Sequence, residues 1–193
     1  MKSIKNALVR TSLLLCALFV VTFTGCIKPT DPTTLPIGVE YISENDPLCG
    51  TWVSTWSETF TITPSTFDTG AYSYAGDNLV VGYTTPTSGY IYVKYTRAYE
   101  FSTEDKSSDD TWTETTWPSA GYFRYSSTAP DVGKWYAISF KNLTSNSVSL
   151  SGAAGSSVGH LVTSTDTLEE AVEEFTIENG YYAYDYSECV KSE

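Results

Sequence analysis

The side chains that most often perform catalysis are few in this chain and show no catalytic spacing. His160 is the only histidine among 193 residues, and it lies in a stretch rich in glycine and serine. No G-x-S-x-G elbow or other nucleophile motif accompanies it, so an exposed loop histidine is a simpler interpretation than a Ser-His-Asp triad. Zinc would require more ligands than a single histidine and the two domain cysteines, which are expected to be bridged, can provide. The sequence therefore predicts neither a zinc site nor an enzyme built on this histidine.

Acidic side chains suggest two further chemistries, glycoside hydrolysis and calcium binding. A glycosidase needs two carboxylates that meet in space, and Glu58, Glu100 and Glu114 lie in or beside predicted strands, so this alternative stays open. The acidic stretch EDKSSDD, residues 104–110, has calcium-loop spacing but lacks the central glycine and the terminal glutamate of an EF-hand. Nothing in the sequence marks these carboxylates as buried, however, so we predict a protein that is not an enzyme and has no metal or cofactor.

Aromatic residues are the remaining chemical signal, with 15 tyrosines and 5 tryptophans. Four of them lie on strand faces opposite to the main apolar set: Tyr90, Tyr92, Tyr122 and Trp135. One interpretation is cross-strand packing on a half-exposed sheet. The other is a ligand-binding wall, because tyrosine and tryptophan offer a flat apolar face and a hydrogen-bonding tip. The second interpretation makes these four residues the candidate binding site.

The first 26 residues carry a targeting signal. Three basic residues precede an apolar run at residues 13–23, which is too short to span a bilayer. Thr24, Gly25 and Cys26 follow, a pattern that resembles the lipobox of bacterial lipoproteins. The resemblance implies removal of residues 1–25 and diacylation of Cys26, and two acyl chains hold a protein stably on a membrane.

The residues after the lipobox favour an outer location. Ile27 and Lys28 stand where enteric bacteria place an aspartate to retain a lipoprotein in the inner membrane. The resemblance thus implies the cell envelope, at the outer membrane or cell surface. Without residues 1–25 the chain has 23 acidic and 8 basic residues. This charge repels phosphate backbones, so nucleic acid is not an expected partner.

The distribution of prolines and cysteines sets the expected domain limits. Residues 26–48 contain four prolines with little apolar periodicity and are predicted to be a tether, so the domain should span residues 49–193. Cys49 and Cys189 lie at its two ends. In an oxidising compartment we expect them to form a disulfide.

Period-two alternation of apolar residues predicts antiparallel strands through the first hundred residues of the domain. The clearest runs are residues 59–63, 90–95, 122–125, 135–141 and 147–150. Turn residues separate them, including the predicted turns at 68–70, 76–78, 86–89, 129–131 and 144–146. Leu168, Ala171 and Phe175 then have helical spacing, with Asp166 and Glu169 as an N-cap signature. Residues 181–187 are predicted to form a last strand.

Gly50-Thr51-Trp52 resembles the G-x-W motif that opens lipocalins and other calycin barrels. The resemblance covers the layout of the whole domain but only three residues of sequence. It implies a barrel whose tryptophan plugs the closed end and whose first and last strands pair, which would bring Cys49 to Cys189. The family's T-D-Y-type motif is missing, and so is its arginine that stacks on the tryptophan; only Lys141 is near. The closing segment is also similar to spirochaete-type surface lipoproteins.

These observations predict an all-β fold, an antiparallel meander closing into a lipocalin-like barrel with one late α-helix; a two-sheet sandwich is the alternative. The predicted function is binding of a small apolar or amphipathic ligand at the membrane. The alternative is an interaction module, an adhesin or enzyme inhibitor, that binds an extracellular protein through loops such as residues 111–121, which hold Trp112 and Trp117.

Overall fold

The computed structural model describes residues 34–71, 73–116, 119–154, 162–182 and 186–192. The strands are β1 (Gly50–Ser54), β2 (Thr59–Ile62), β3 (Thr66–Asp68), β4 (Ala75–Thr85), β5 (Ser88–Ser102), β6 (Thr113–Thr115), β7 (Gly121–Ser126), β8 (Trp135–Lys141), β9 (Ser147–Gly152) and β10 (Ser187–Lys191). The helix is α1 (Leu168–Glu174).

Eight strands form a closed antiparallel barrel. Strands β1 to β5 pair in sequence, β5 pairs with β8, and β8, β9 and β10 follow in order. Strand β10 then returns to β1, with Cys189 opposite Ser54. Because first and last strands pair, the ring has no free edge of the kind that a sandwich retains. The predicted lipocalin-like barrel with a late helix is confirmed, and the sandwich is wrong.

Strand β5 belongs to two sheets. Its first half pairs with β4 and β8 in the barrel, whereas its second half, from Ala98 to Ser102, pairs with β7. Strand β6 adds to the far side of β7. These three strands make an extension that leaves the barrel wall, with one face toward the end of the barrel where β1 finishes. We call that end the open end.

Apolar side chains fill the barrel, as the alternation predicts. Trp52, Phe67, Ile91, Ile138 and Phe140 are each at most 1 % exposed. Dense packing of this kind leaves the central part of the barrel occupied by its own side chains. Space for a ligand is therefore at the ends of the barrel rather than at its centre.

The segment before β1 is part of the folded unit. Leu48 is completely buried, Ile42 is 8 % exposed, and Glu40 forms a β-bridge with Val81 of β4. The compact unit accordingly begins at Leu35, not at Cys49. The prolines of this segment predicted a tether, but its scattered apolar residues pack onto the barrel.

Three local predictions differ from the structure. Residues 76–78 lie inside β4, where the register shifts after Asp77 and Asn78 has φ +54°, so the turn-forming residues make a β-bulge. The helix N-cap is Thr167, which forms a capping box with Glu170, rather than Asp166. The last strand is β10, at Ser187–Lys191, whereas Tyr181 and Tyr182 pack in the core without joining a strand.

Candidate functional site

Trp52 closes the end of the barrel at which β1 begins. Its side chain is completely buried, and its Nε1 donates a hydrogen bond to Leu48 O at 2.8 Å. Lys191 Nζ lies 5.0 Å from the centre of the indole ring. A side chain at Gly50 would overlap Lys191 Cε, so the glycine of the Gly50-Thr51-Trp52 motif leaves room for the lysine to reach the ring.

The cation on this tryptophan comes from an unexpected strand. Lys141 is the basic residue nearest to the position of the family's stacking arginine, but its Nζ lies 3.8 Å from the ring centre of Tyr186. Lys191 lies opposite Trp52 in the β1–β10 pair. Only knowledge of this register identifies Lys191, because the two residues are at opposite ends of the chain.

The open end carries a cavity of about 760 Å³, which we call the aromatic pocket. Five tyrosines and two phenylalanines line it, together with small or polar residues and one carboxylate. The aromatic residues are Tyr74, Tyr95, Tyr99, Phe101, Phe123, Tyr125 and Tyr136. The volume is in the range typical of small-molecule sites.

Three tyrosines form the part of this pocket nearest the barrel core. The rings of Tyr95 and Tyr136 stack at 4.8 Å, and Tyr74 meets Tyr136 edge-on at 5.3 Å. Tyr136 Oη donates to Ala153 O at 2.9 Å. Burial raises the pKa of all three hydroxyls, so the rings stay neutral at physiological pH. A side chain at Gly152 would overlap the Tyr136 hydroxyl, so this glycine keeps the tyrosines in place.

The extension supplies the second wall. Tyr99 is paired with Tyr125, and Phe101 with Phe123, so alternation places all four rings on one face. Tyr99 stacks on Phe123 at 5.9 Å and still leaves 44 % of its surface exposed. The aromatic face of the extension is therefore only partly covered by the rest of the protein.

The opposite face of the extension is polar and already covered. Arg124 Nε is 2.8 Å from Glu100 Oε2, and the guanidinium lies 4.4 Å from the ring centre of Trp112. The hydroxyl of Tyr122 hydrogen-bonds Asp105. Charged contacts thus occupy this face, and the aromatic face is the one that looks into the pocket.

Asp131 is the only carboxylate that lines the aromatic pocket within the described residues. Its oxygens accept hydrogen bonds from Ser164 Oγ at 2.8 Å and Thr163 Oγ1 at 3.1 Å, and Lys134 Nζ lies 3.1 Å away. Burial alone would raise the pKa of Asp131, but the bonds from Ser164, Lys134 and Thr163 hold it below its usual value. The group is therefore ionised at neutral pH.

A second cavity, the mouth pocket, has a volume of about 510 Å³ and shares Tyr74 with the aromatic pocket. Phe60, Ile138 and Leu150 form its apolar base, and its polar lining residues include Glu58. The Glu58 carboxylate accepts bonds from Ser54 Oγ at 3.0 Å and Ser187 Oγ at 2.8 Å. Serine and threonine hydroxyls line much of the rest.

None of the four ligand-binding residues predicted from the sequence lines either cavity. Tyr90 packs on Tyr182, with ring centres 5.6 Å apart, and its hydroxyl accepts a bond from Ile177 N. Tyr92 is 2 % exposed beside it. Trp135 is 9 % exposed beneath Lys94, and Tyr122 lies on the covered face of the extension. Alternation places Tyr90, Tyr92 and Trp135 on the outer face of the barrel, where other parts of the chain cover them, whereas Tyr122 is partly exposed on the polar face of the extension.

The two cysteines of the predicted disulfide are free in the structure. Cys189 is opposite Ser54, five residues along β1 from Cys49, which corresponds to about 16 Å at 3.3 Å per residue. A disulfide requires Cα atoms within about 7 Å. The first and last strands do pair, as the resemblance implied, but the register keeps these residues apart.

The acidic candidates are also separated. Glu58 lies at the mouth pocket, whereas Glu100 pairs with Arg124 and Glu114 is exposed on β6. Within the acidic loop, Asp105 and Asp109 accept bonds from neighbouring backbone N–H groups. Among the described residues no three metal-ligating side chains come together.

Some sequence predictions lie outside the described residues, namely the signal at residues 1–25, the tether before residue 34 with Cys26, and those at Trp117 and His160. In the part of the chain that the structure describes, no helix is long and apolar enough to cross a membrane.

Comparison of the chain with protein-family models, with curated proteins and with solved structures gives no match. The lipocalin-like description therefore rests on the closed barrel itself and on the buried Trp52 of the G-x-W motif.

Proposed function

We propose that this protein is a membrane-anchored bacterial lipoprotein whose barrel binds a small apolar or amphipathic ligand and catalyses no reaction. The aromatic pocket supports the proposal, because seven aromatic rings surround a cavity of about 760 Å³. Binding sites for small molecules combine such apolar walls with a few polar groups. Asp131 and the tyrosine hydroxyls are the polar groups at this site.

The partial exposure of the extension supports the same proposal. Tyr99 is 44 % exposed although it lies among aromatic neighbours. A ligand that covers this face gains about 25 cal/mol for each Å² of apolar surface removed from water. Burial of this apolar surface therefore favours ligand binding at the aromatic pocket.

The test uses the chain from residue 26 with Cys26→Ser, purified from its native host, and two matched tyrosine variants. Native mass spectrometry is expected to detect a retained small molecule, and the uncharged dye Nile red should bind with 1:1 stoichiometry. Tyr99→Ala should weaken dye binding about tenfold, the effect of one lost aromatic contact. Tyr122→Ala, on the covered face of the same extension, should leave it unchanged.

The outcomes separate the alternatives. Weakening by Tyr122→Ala and not by Tyr99→Ala would assign binding to the residues predicted from sequence. No retained molecule and no dye binding would reject the ligand-binding proposal.

The anchor is proposed from the lipobox-like sequence that ends at Cys26. Wild-type protein is expected to partition into the detergent phase of a Triton X-114 extraction and to carry the added mass of two or three acyl chains. Cys26→Ser should move it to the aqueous phase. Digestion by protease added to intact cells is expected if it faces outward from the outer membrane.

One observation favours the alternative, an interaction module for an extracellular protein. Trp56 is 79 % exposed in the β1–β2 turn, where Ser57 has φ +64° and Ser54 Oγ accepts bonds from two backbone N–H groups. An ordered turn that presents a large aromatic side chain is typical of a protein-binding hot spot. Trp56→Ala should then abolish partner binding without changing Nile red binding.

A further inference from the structure

We infer that the ligand of the aromatic pocket is an organic cation with an apolar body, such as an alkylammonium amphiphile, rather than an anion of the fatty-acid type. This inference rests on the proposed function and specifies its ligand class. Three independent features of the open end support it: the charges that line it, the aromatic rings without a protein cation, and the charge of the whole chain.

The first feature is the sign of the lining charge. Asp131 lines the aromatic pocket and Glu58 lines the mouth pocket beside it, and no lysine, arginine or histidine is among the described lining residues of either cavity. A buried carboxylate head group needs basic or hydrogen-bonding partners to compensate for lost hydration. An anionic ligand would find no such basic partner among these lining residues, and Lys134, which lies close by, is already paired with Asp131.

The second feature is how this protein uses its cations. Five basic side chains each lie within 5.8 Å of the ring centre of a tryptophan or tyrosine: Lys94, Lys106, Arg124, Lys141 and Lys191. Lys134 pairs with Asp131, and Arg97 with Asp68. None of the rings of the aromatic pocket has such a partner within the described part of the chain.

Those rings are suited to a cation from outside. The face of a neutral aromatic ring carries partial negative charge and attracts an ammonium group within about 6 Å of its centre. On the extension, Tyr99 is 44 % exposed, lies at 20° to Phe123 and meets Tyr125 at 71°, so the rings present differently oriented surfaces. Surfaces in several orientations are what encloses a quaternary ammonium group.

The third feature is the field of the whole chain, which has a net charge of −12. Such a field raises the local concentration of cations and lowers that of anions. It adds to the local features, although by itself it would attract cations to any part of the surface.

The test compares three probes with the same alkyl chain below their micellar concentrations. Dodecyltrimethylammonium, dodecanoate and dodecyl maltoside are titrated by calorimetry into the 26–193 chain with Cys26→Ser, at 150 mM salt. We expect one molecule of the cation to bind about tenfold more tightly than the uncharged probe, and the anion to bind most weakly.

Variants separate cation–ring attraction from general attraction to an acidic protein. Phe123→Leu keeps apolar bulk but removes a ring face, and should weaken the cation several-fold while leaving the uncharged probe nearly unchanged. Asp131→Asn should also weaken the cation selectively. Glu44→Gln, at an exposed carboxylate beside Cys49 and Lys191 at the closed end of the barrel, is the charge-matched control and should have no effect.

Each result decides the inference. Equal affinity for the cation and the uncharged probe, or tighter binding of dodecanoate, overturns the cation assignment and leaves the ligand-binding proposal standing. An affinity for the cation that neither Phe123→Leu nor Asp131→Asn changes also overturns it. Failure of all three probes to bind rejects this inference together with the proposed function.

Discussion

Trp52 and Trp56 are four residues apart and have opposite environments. Trp52 is completely buried beneath Lys191, whereas Trp56 is 79 % exposed. Trp52→Ala leaves a large cavity and an unpaired Leu48 carbonyl, and is expected to lower the free energy of unfolding by about 3–5 kcal/mol. Trp56→Ala should change it by less than about 0.5 kcal/mol. Urea unfolding followed by circular dichroism measures both, and equal losses would contradict the closed-end role of Trp52.

The cysteines give a second test at the scale of single residues. Burial, with lesser contributions from Glu58 and Glu188, raises the pKa of the Cys189 thiol from 9.0 to about 12. We expect the intact mass to be the same with and without reductant, and iodoacetamide at pH 8.5 to modify Cys189 only after unfolding. A mass 2 Da lower without reductant would mean that the two cysteines are bridged and that the β1–β10 register is wrong.

The same thiol affects stability at high pH. Because its folded pKa is above the unfolded value of 9.0, its contribution to stability is complete below pH 9 and is lost as the pH rises toward 12. Cys189→Ser should therefore reduce the alkaline loss of stability in urea titrations between pH 8 and pH 11. An unchanged slope would place the responsible groups among the buried tyrosines instead.

At the scale of elements, alternation predicted the strands well but not where β5 ends. The runs at residues 90–95 and 135–141 correspond to β5 and β8. Strand β5, however, continues to Ser102 and carries Tyr99 and Phe101 into the extension. The sequence holds a signal for this, because no glycine or proline interrupts the chain between Tyr95 and Ser102.

The aromatic pocket was missed for a related reason. Single-strand alternation tells which residues share a face, and it placed Tyr90 and Trp135 on the outer face correctly. It cannot tell which face a distant segment covers. Ile177 and Tyr182 contact Tyr90, whereas the face with Tyr99 stays open, and only the three-dimensional path of the chain decides between them.

Helix α1 offers a test in which sequence and structure differ. The structure assigns the N-cap to Thr167, whose hydroxyl accepts a bond from Glu170 N at 3.2 Å while Glu170 Oε2 accepts from Thr167 N at 3.1 Å. Thr167→Ala should lower the free energy of unfolding by about 1 kcal/mol. Asp166→Ala, at the position favoured by the sequence, should have a smaller effect. A larger loss of unfolding free energy for Asp166→Ala than for Thr167→Ala, measured by urea unfolding, would show that Asp166 is the N-cap.

At the scale of the whole molecule, closure of the barrel depends on chain that precedes β1. Strand β3 pairs only with residues 75–77 of β4, so the later part of β4 lacks a strand partner on that side. Glu40 fills this position through two backbone hydrogen bonds with Val81, of 2.9 and 2.8 Å. Residues 35–48 therefore complete the barrel wall as well as covering its closed end, although prolines and weak periodicity made them resemble a tether.

This role predicts that the domain cannot be shortened to the boundary expected from sequence. A chain beginning at Cys49 loses Leu48 and Ile42 from the core and should be several kcal/mol less stable than one beginning at Leu35, since each buried side chain contributes about 1.5–3 kcal/mol.

Two isoleucines provide the point-variant control within an intact chain. Ile42→Ala, at a site 8 % exposed, should cost about 2 kcal/mol, whereas the fully exposed Ile37→Ala should cost almost nothing. Equal urea midpoints for the two shortened chains would show that residues 35–48 are a tether and add nothing to the stability of the barrel. Equal midpoints for the two alanine variants would show that Ile42 does not belong to the core.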